Sequence, residues 1–127
     1  MKQRINREQQ EVIDSPESQD PPRDKHQHLV KLYEQGQLDK GLEVAEQLLK
    51  QFPNSTMLYN NIGLFLNELG YRDKAVNSFQ KAIKTKPDNA IAFNNLGNAL
   101  NINGKKEEAI ASFRSAIKIK PDYAEAH

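Results

Sequence analysis

The sequence predicts an all-α chain of three stacked helical hairpins. Gly36, Gly70 and Gly104 fall at a constant interval of 34 residues, and so do Pro53, Pro87 and Pro121. Laid over each other without a gap, residues 56–89 and 90–123 agree at fifteen of thirty-four positions. Between those marks apolar residues recur three and four apart, the spacing of a half-buried helix and not the alternation of a strand. A strict period in this range signals stacked units, each unable to bury its apolar face alone.

The elements follow in order. Residues 1–21 combine Gln, Glu, Asp and Pro with few apolar side chains, too few to offset chain entropy, so they are expected to form a mobile tail. The first unit, 22–55, keeps Leu32, Gly36 and Pro53, and its second helix, LDKGLEVAEQLLKQF, is well patterned. Its first helix is expected to start late, near Lys25 or His26. The second unit, 56–89, carries Tyr59, Ile62 and Leu66 before Gly70, then Ala75, Phe79, Ala82 and Ile83 before Pro87. The third, 90–123, repeats this with Ile91, Phe93, Leu96, Leu100 and Ile102, ended by Gly104 as a left-handed cap. Its second helix runs through Ala109, Ile110, Phe113, Ala116 and Ile117 to Lys118 and Lys120, where cations suit the helix dipole, and stops at Pro121. Such short connections force the paired helices to pack antiparallel. Residues 124–127 open a fourth unit without completing it, as expected of a piece of a longer protein.

Composition narrows the function. Eighteen Lys plus Arg against seventeen Asp plus Glu leave a net charge of +1, with no concentrated basic surface for nucleic acid or membrane. The absence of cysteine excludes disulfides, thiolate zinc sites and a cysteine nucleophile. The N-terminus lacks the apolar core of a signal peptide and no run reaches membrane length, so a cytoplasmic location is the default. His26 and His28 point apart on a helix and do not make a metal pair. Asp73, Glu107 and Glu108 open second helices, where carboxylates complement the dipole. Lys81, Lys84, Lys86, Lys105, Lys106, Lys118, Lys120 and Arg114 mostly decorate second helices, a solvated surface. No phosphate loop or nucleophile elbow is present. No catalytic residue, metal or cofactor is expected, and the chain is not expected to be an enzyme.

These residues resemble the tetratricopeptide repeat (TPR), a 34-residue helix-turn-helix unit. The second unit matches its signature with Tyr59, Ile62-Gly63, Leu66, Ala75, Phe79, Ala82 and Pro87. The third matches with Phe93, Leu96-Gly97, Leu100, Ala109, Phe113, Ala116 and Pro121. Gly63 and Gly97, with Ala75 and Ala109, are where paired helices approach closest, and Phe79 and Phe113 fill the space beside them. The first unit departs from the pattern: Lys25 replaces the aromatic, His28 and Leu29 replace Leu-Gly, and Gly41 replaces alanine. It reads as a terminal capping repeat. The resemblance implies a right-handed α-solenoid of about three repeats and six helices, with first helices lining a concave groove.

In that arrangement the family's groove positions fall on Met57, Asn60, Asn61, Leu64, Asn67 and Glu68 in the second unit. In the third they fall on Ile91, Asn94, Asn95, Asn98, Asn101 and Ile102. Asparagine costs a helix interior about 0.6 kcal/mol relative to alanine, so its repetition on one surface needs a reason. An amide offers both a donor and an acceptor and can pair with an extended peptide backbone. Asn61 and Asn95 match the asparagine ladder of O-linked N-acetylglucosamine transferase repeats, with Asn98 a further candidate. The alternative is structural: the amides bond to neighbouring repeats, to helix carbonyls or to water. The family's clamp for acidic C-terminal tails is not expected, since His26, Val30, Ile91 and Asn95 stand at its positions and only Asn61 fits.

The resemblance thus implies a protein-interaction scaffold with a groove site of Asn60, Asn61, Leu64, Asn67, Asn94, Asn95, Asn98 and Asn101. The other reading is a recruiting arm of a larger glycosyl-, sulfo- or methyltransferase. The partner is a protein or peptide, with self-association through Phe113, Ile117 and Ile119 at the C-terminal edge as a further possibility.

Overall fold

The computed structural model describes residues 20–120. Among them are six helices and no strand: α1 Arg23–Glu34, α2 Leu38–Gln51, α3 Thr56–Glu68, α4 Arg72–Thr85, α5 Ala90–Ile102 and α6 Lys106–Ile119. They pair into three antiparallel hairpins, and α3 and α5 also pack on the second helix of the preceding hairpin. The result is an α-solenoid.

Each hairpin turns by the same device. At the end of α3, Gly70 adopts φ +92°, a conformation that L side chains rarely take. This lets the Tyr71 N–H reach back to the Leu66 carbonyl at 2.9 Å and the Gly70 N–H to Asn67 at 3.1 Å, the double bond of a Schellman motif. Gly36 and Gly104 repeat it. The Tyr71 carbonyl then accepts from Ala75 N–H, opening α4 with no spare residue.

Between hairpins the chain caps its helices with side chains. Ser55 Oγ accepts from the Leu58 N–H at 3.1 Å, and Asn89 Oδ1 from the Ala92 N–H at 2.8 Å. These bonds satisfy amides that helix geometry leaves orphaned.

The core runs continuously through the stack, from Leu29 and Ala45 through Leu58, Phe65 and Phe79 to Leu96, Leu100 and Ala109. As the sequence indicated, Gly63 sits against the Phe79 ring and Gly97 against Phe113, where an added Cβ would lie 2.7 Å from the ring. Gly41 belongs to the same set. It packs against Phe65 of the next hairpin, which gives its departure from alanine a steric reason.

Two boundaries differ from expectation. Helix α1 begins at Arg23, ahead of Lys25, because the Pro22 carbonyl accepts from the Lys25 N–H (3.0 Å) and the His26 N–H (3.4 Å). Of the expected tail, residues 1–19 lie outside the described residues. Its last two do not: Pro21 is buried and Asp20 is hydrogen-bonded to the second hairpin. Residues 121–127, with the expected start of a fourth unit, also lie outside.

Candidate functional site

The first helices present one continuous surface, and a pocket of about 530 Å³ opens in it. Helix α3 contributes Thr56, Met57, Asn60, Asn61 and Leu64 to its walls. Helix α5 supplies Ile91 and Asn95, and α1 supplies His26. Thr85, Lys86 and Asn89, from the end of α4 and the connection to α5, close one side, and Asp20 another.

Of the groove residues expected from sequence, the pocket gathers Asn60, Asn61, Leu64 and Asn95. The other four do not line it. Asn67 and Asn94 are half-buried, while Asn98 and Asn101 are exposed further along α5. Sequence reasoning did not single out Asp20, Thr56, Thr85 or Asn89, and it grouped Lys86 with the solvated lysines. Helix α4 ends at Thr85, so Lys86 is already extended (φ −145°, ψ 91°) and lines the pocket instead. The cap pattern before α5 was the available signal for Asn89. Asp20 carried none.

The amides are not equivalent. Asn61 Nδ2 lies 3.4 Å from His26 Nδ1, linking α3 to α1. Asn60 is 7% exposed, and its Oδ1 is shielded from water with no donor. Asn67 Oδ1 and Asn94 Oδ1 share that condition. Asn103 fits its helix-ending place as the C-cap of α5, and its Nδ2 donates to Asp73 Oδ1 at 2.9 Å. The hydroxyls of Thr56 and Thr85 bond each other at 2.7 Å.

Charge enters at the rim. Asp20 Oδ1 accepts from Ser55 Oγ at 2.5 Å and faces the Met57 N–H at 3.4 Å. The carboxylate therefore occupies the positive end of α3, where helix geometry favours an anion. Burial, then the nearby Glu68 carboxylate, push the Tyr33 phenol above the usual 10.0.

Other surfaces are quieter. Among the described residues no cluster of three His, Cys, Asp or Glu side chains could hold a metal. No helix among them is long and apolar enough to cross a membrane. At the C-terminal edge Ile110 and Ile117 are exposed, with Phe113 and Ile119 half-buried.

Family models for the tetratricopeptide repeat match residues 68–124 and 30–55. The chain is a tetratricopeptide repeat protein. No curated protein matches it. Among solved structures, this TPR chain is similar to a mutant of the Thermobaculum terrenum O-GlcNAc transferase, with TM-score 0.75 and 25% identity over 80% of its residues. It spans only 19% of that transferase chain. It also resembles the second TPR of Spaghetti (RPAP3) bound to the HSP90 peptide SRMEEVD, with TM-score 0.74 and 16% identity, covering 85% of this chain and 100% of that one. A third neighbour is YrrB, described as a TPR protein with an unusual peptide-binding site (TM-score 0.72, 24% identity, 78% of this chain and 51% of that chain). The last two likenesses concern the fold alone.

Proposed function

We propose that this TPR chain is a protein-interaction scaffold that holds an extended peptide in the groove formed by α1, α3 and α5. The observation that carries this reading is the pocket itself, in which Asn60, Asn61 and Asn95 stand beside Leu64, Met57 and Ile91. Amides that can donate and accept, next to apolar side chains, suit a backbone with its side chains. Two of the structural neighbours are peptide-binding TPR proteins by description, which supports a peptide guest. Asn67, Asn94, Asn98 and Asn101 extend the same surface and are proposed as outlying contacts.

The test is capture from a lysate of the source organism with the 127-residue chain and with the Asn61→Ala/Asn95→Ala variant, followed by mapping of the retained protein on overlapping peptides. A partner retained by the first and lost by the second is expected. Equal retention would remove the groove from the explanation.

A second reading rests on the transferase likeness. The match covers most of this chain and a fifth of that one, the relation expected of a recruiting arm attached to a catalytic domain. The coding sequence downstream of residue 127 discriminates the two.

A further inference from the structure

The pocket also limits what kind of peptide can enter, and we infer that it selects an uncharged, extended segment carrying one apolar side chain and disfavours acidic guests. This rests on the groove reading above and sharpens it.

The pocket's apolar wall is formed by Met57, Leu64 and Ile91. Ile91 is 52% exposed, so the wall is open to a guest. Asn60 lines the same pocket, is nine-tenths buried, and has a carbonyl oxygen with no donor. A buried acceptor without a partner is uncommon. The terminal amide torsion is broad and roughly two-fold, so its oxygen can exchange places with its nitrogen and accept a guest N–H. An apolar side chain against Ile91 and Leu64, with its own backbone N–H given to Asn60, uses both features at once.

Asp20 supplies the exclusion. Its carboxylate already accepts from Ser55 Oγ and faces the Met57 N–H, so the anion-favouring end of α3 is filled from within the chain. Lys86 is the one Lys or Arg among the lining residues, and Asp20 on the same wall matches its charge. The pocket has no surplus positive charge to offer a guest carboxylate.

The test is NMR titration of the intact chain with two small probes, N-acetyl-L-leucine methylamide and N-acetyl-L-aspartate methylamide. The leucine probe is expected to shift the Ile91 and Leu64 methyl signals and the Asn60 side-chain amide, and the aspartate probe to leave them unmoved. Asn60→Ala, made at a buried position and checked for an unchanged fold by its backbone spectrum, and Ile91→Lys, made at an exposed one, should each weaken the leucine probe by about tenfold. Asp20→Ala should admit the aspartate probe. Equal or stronger binding of the aspartate probe to the unaltered chain would overturn the inference while leaving the groove reading intact. Absence of any leucine-probe shift would overturn it too, and the groove would then stand or fall on the capture experiment.

Discussion

Gly41 of α2 lies against the ring of Phe65 of α3, so closely that a Cβ on residue 41 would overlap the phenyl carbons. One repeat later the same two positions hold Ala75 and Ala99, both fully buried. A glycine facing a phenyl ring has been exchanged for two alanines. The two joints are therefore packed by different side chains.

That relationship predicts a reversal of sign. Gly41→Ala in the otherwise unchanged chain should destabilise by about 1–3 kcal/mol through overpacking. Phe65→Ala alone should cost about 3–5 kcal/mol through the cavity it leaves. With the ring removed, adding Gly41→Ala should stabilise instead, because alanine is the better helix former by about 1 kcal/mol. Urea denaturation of the four proteins measures this directly. Additive effects would show that the two residues do not touch.

Gly70 isolates a backbone effect. A Cβ there meets nothing within 4 Å, so Gly70→Ala tests the φ of +92° alone. A loss of about 1–2 kcal/mol is expected for the left-handed conformation. Gly70→Asn should lose less, since asparagine visits that region more readily. An unchanged midpoint for Gly70→Ala would mean that the turn relaxes to another form.

The groove amides should separate binding from stability. Asn61 and Asn95 are half-buried, and Asn61 makes one long contact, to His26. Replacing both by alanine should leave the melting temperature level or slightly raised, since alanine favours the helix. Peptide retention should fall. A melting temperature lowered by several degrees would assign these amides to the scaffold.

Tyr33 gives the chain an alkaline limit. Its phenol is held above 10.0 by burial and by the nearby Glu68 carboxylate. The stability this contributes is fully present below the unfolded value and is lost as pH rises through the higher folded one, because the unfolded chain releases the proton first. Denaturation midpoints should therefore decline above about pH 10 more steeply than in Tyr33→Phe. Parallel declines would exclude Tyr33 as the source.

The hairpins were legible because their punctuation is local: Gly36, Gly70 and Gly104 fix the turns, and apolar residues between them face one way. Gly63 with Phe79 was legible for the same reason, since both lie in one unit and the next unit repeats them. Gly41 was not. It looked like degeneracy, and its cause, Phe65, sits at a position occupied by Ala99 in the next unit. Asp20 was hidden by its surroundings, a proline-rich stretch that reads as tail, while its partner Ser55 lies a full repeat away. Asn98 and Asn101 share their sequence pattern with Asn61 and Asn95, yet lie outside the pocket. The pattern chose the surface. The concavity within that surface depends on how α1, α3 and α5 are arranged around Asp20 and the α4–α5 connection, which spacing along one helix does not encode.

The Schellman turns leave no slack between the two helices of a hairpin, and each hairpin packs on its neighbour along the stack. The chain is therefore built like a row of hinged panels. Order can spread from whichever panel forms first, and opening can stop at a joint. The middle panel, α3 with α4, is braced on both sides and should be the last to exchange its amide hydrogens. The panel that carries Ile91 and Asn95 is joined, among the described residues, to α3 and α4, so its amides should exchange before those of the middle one.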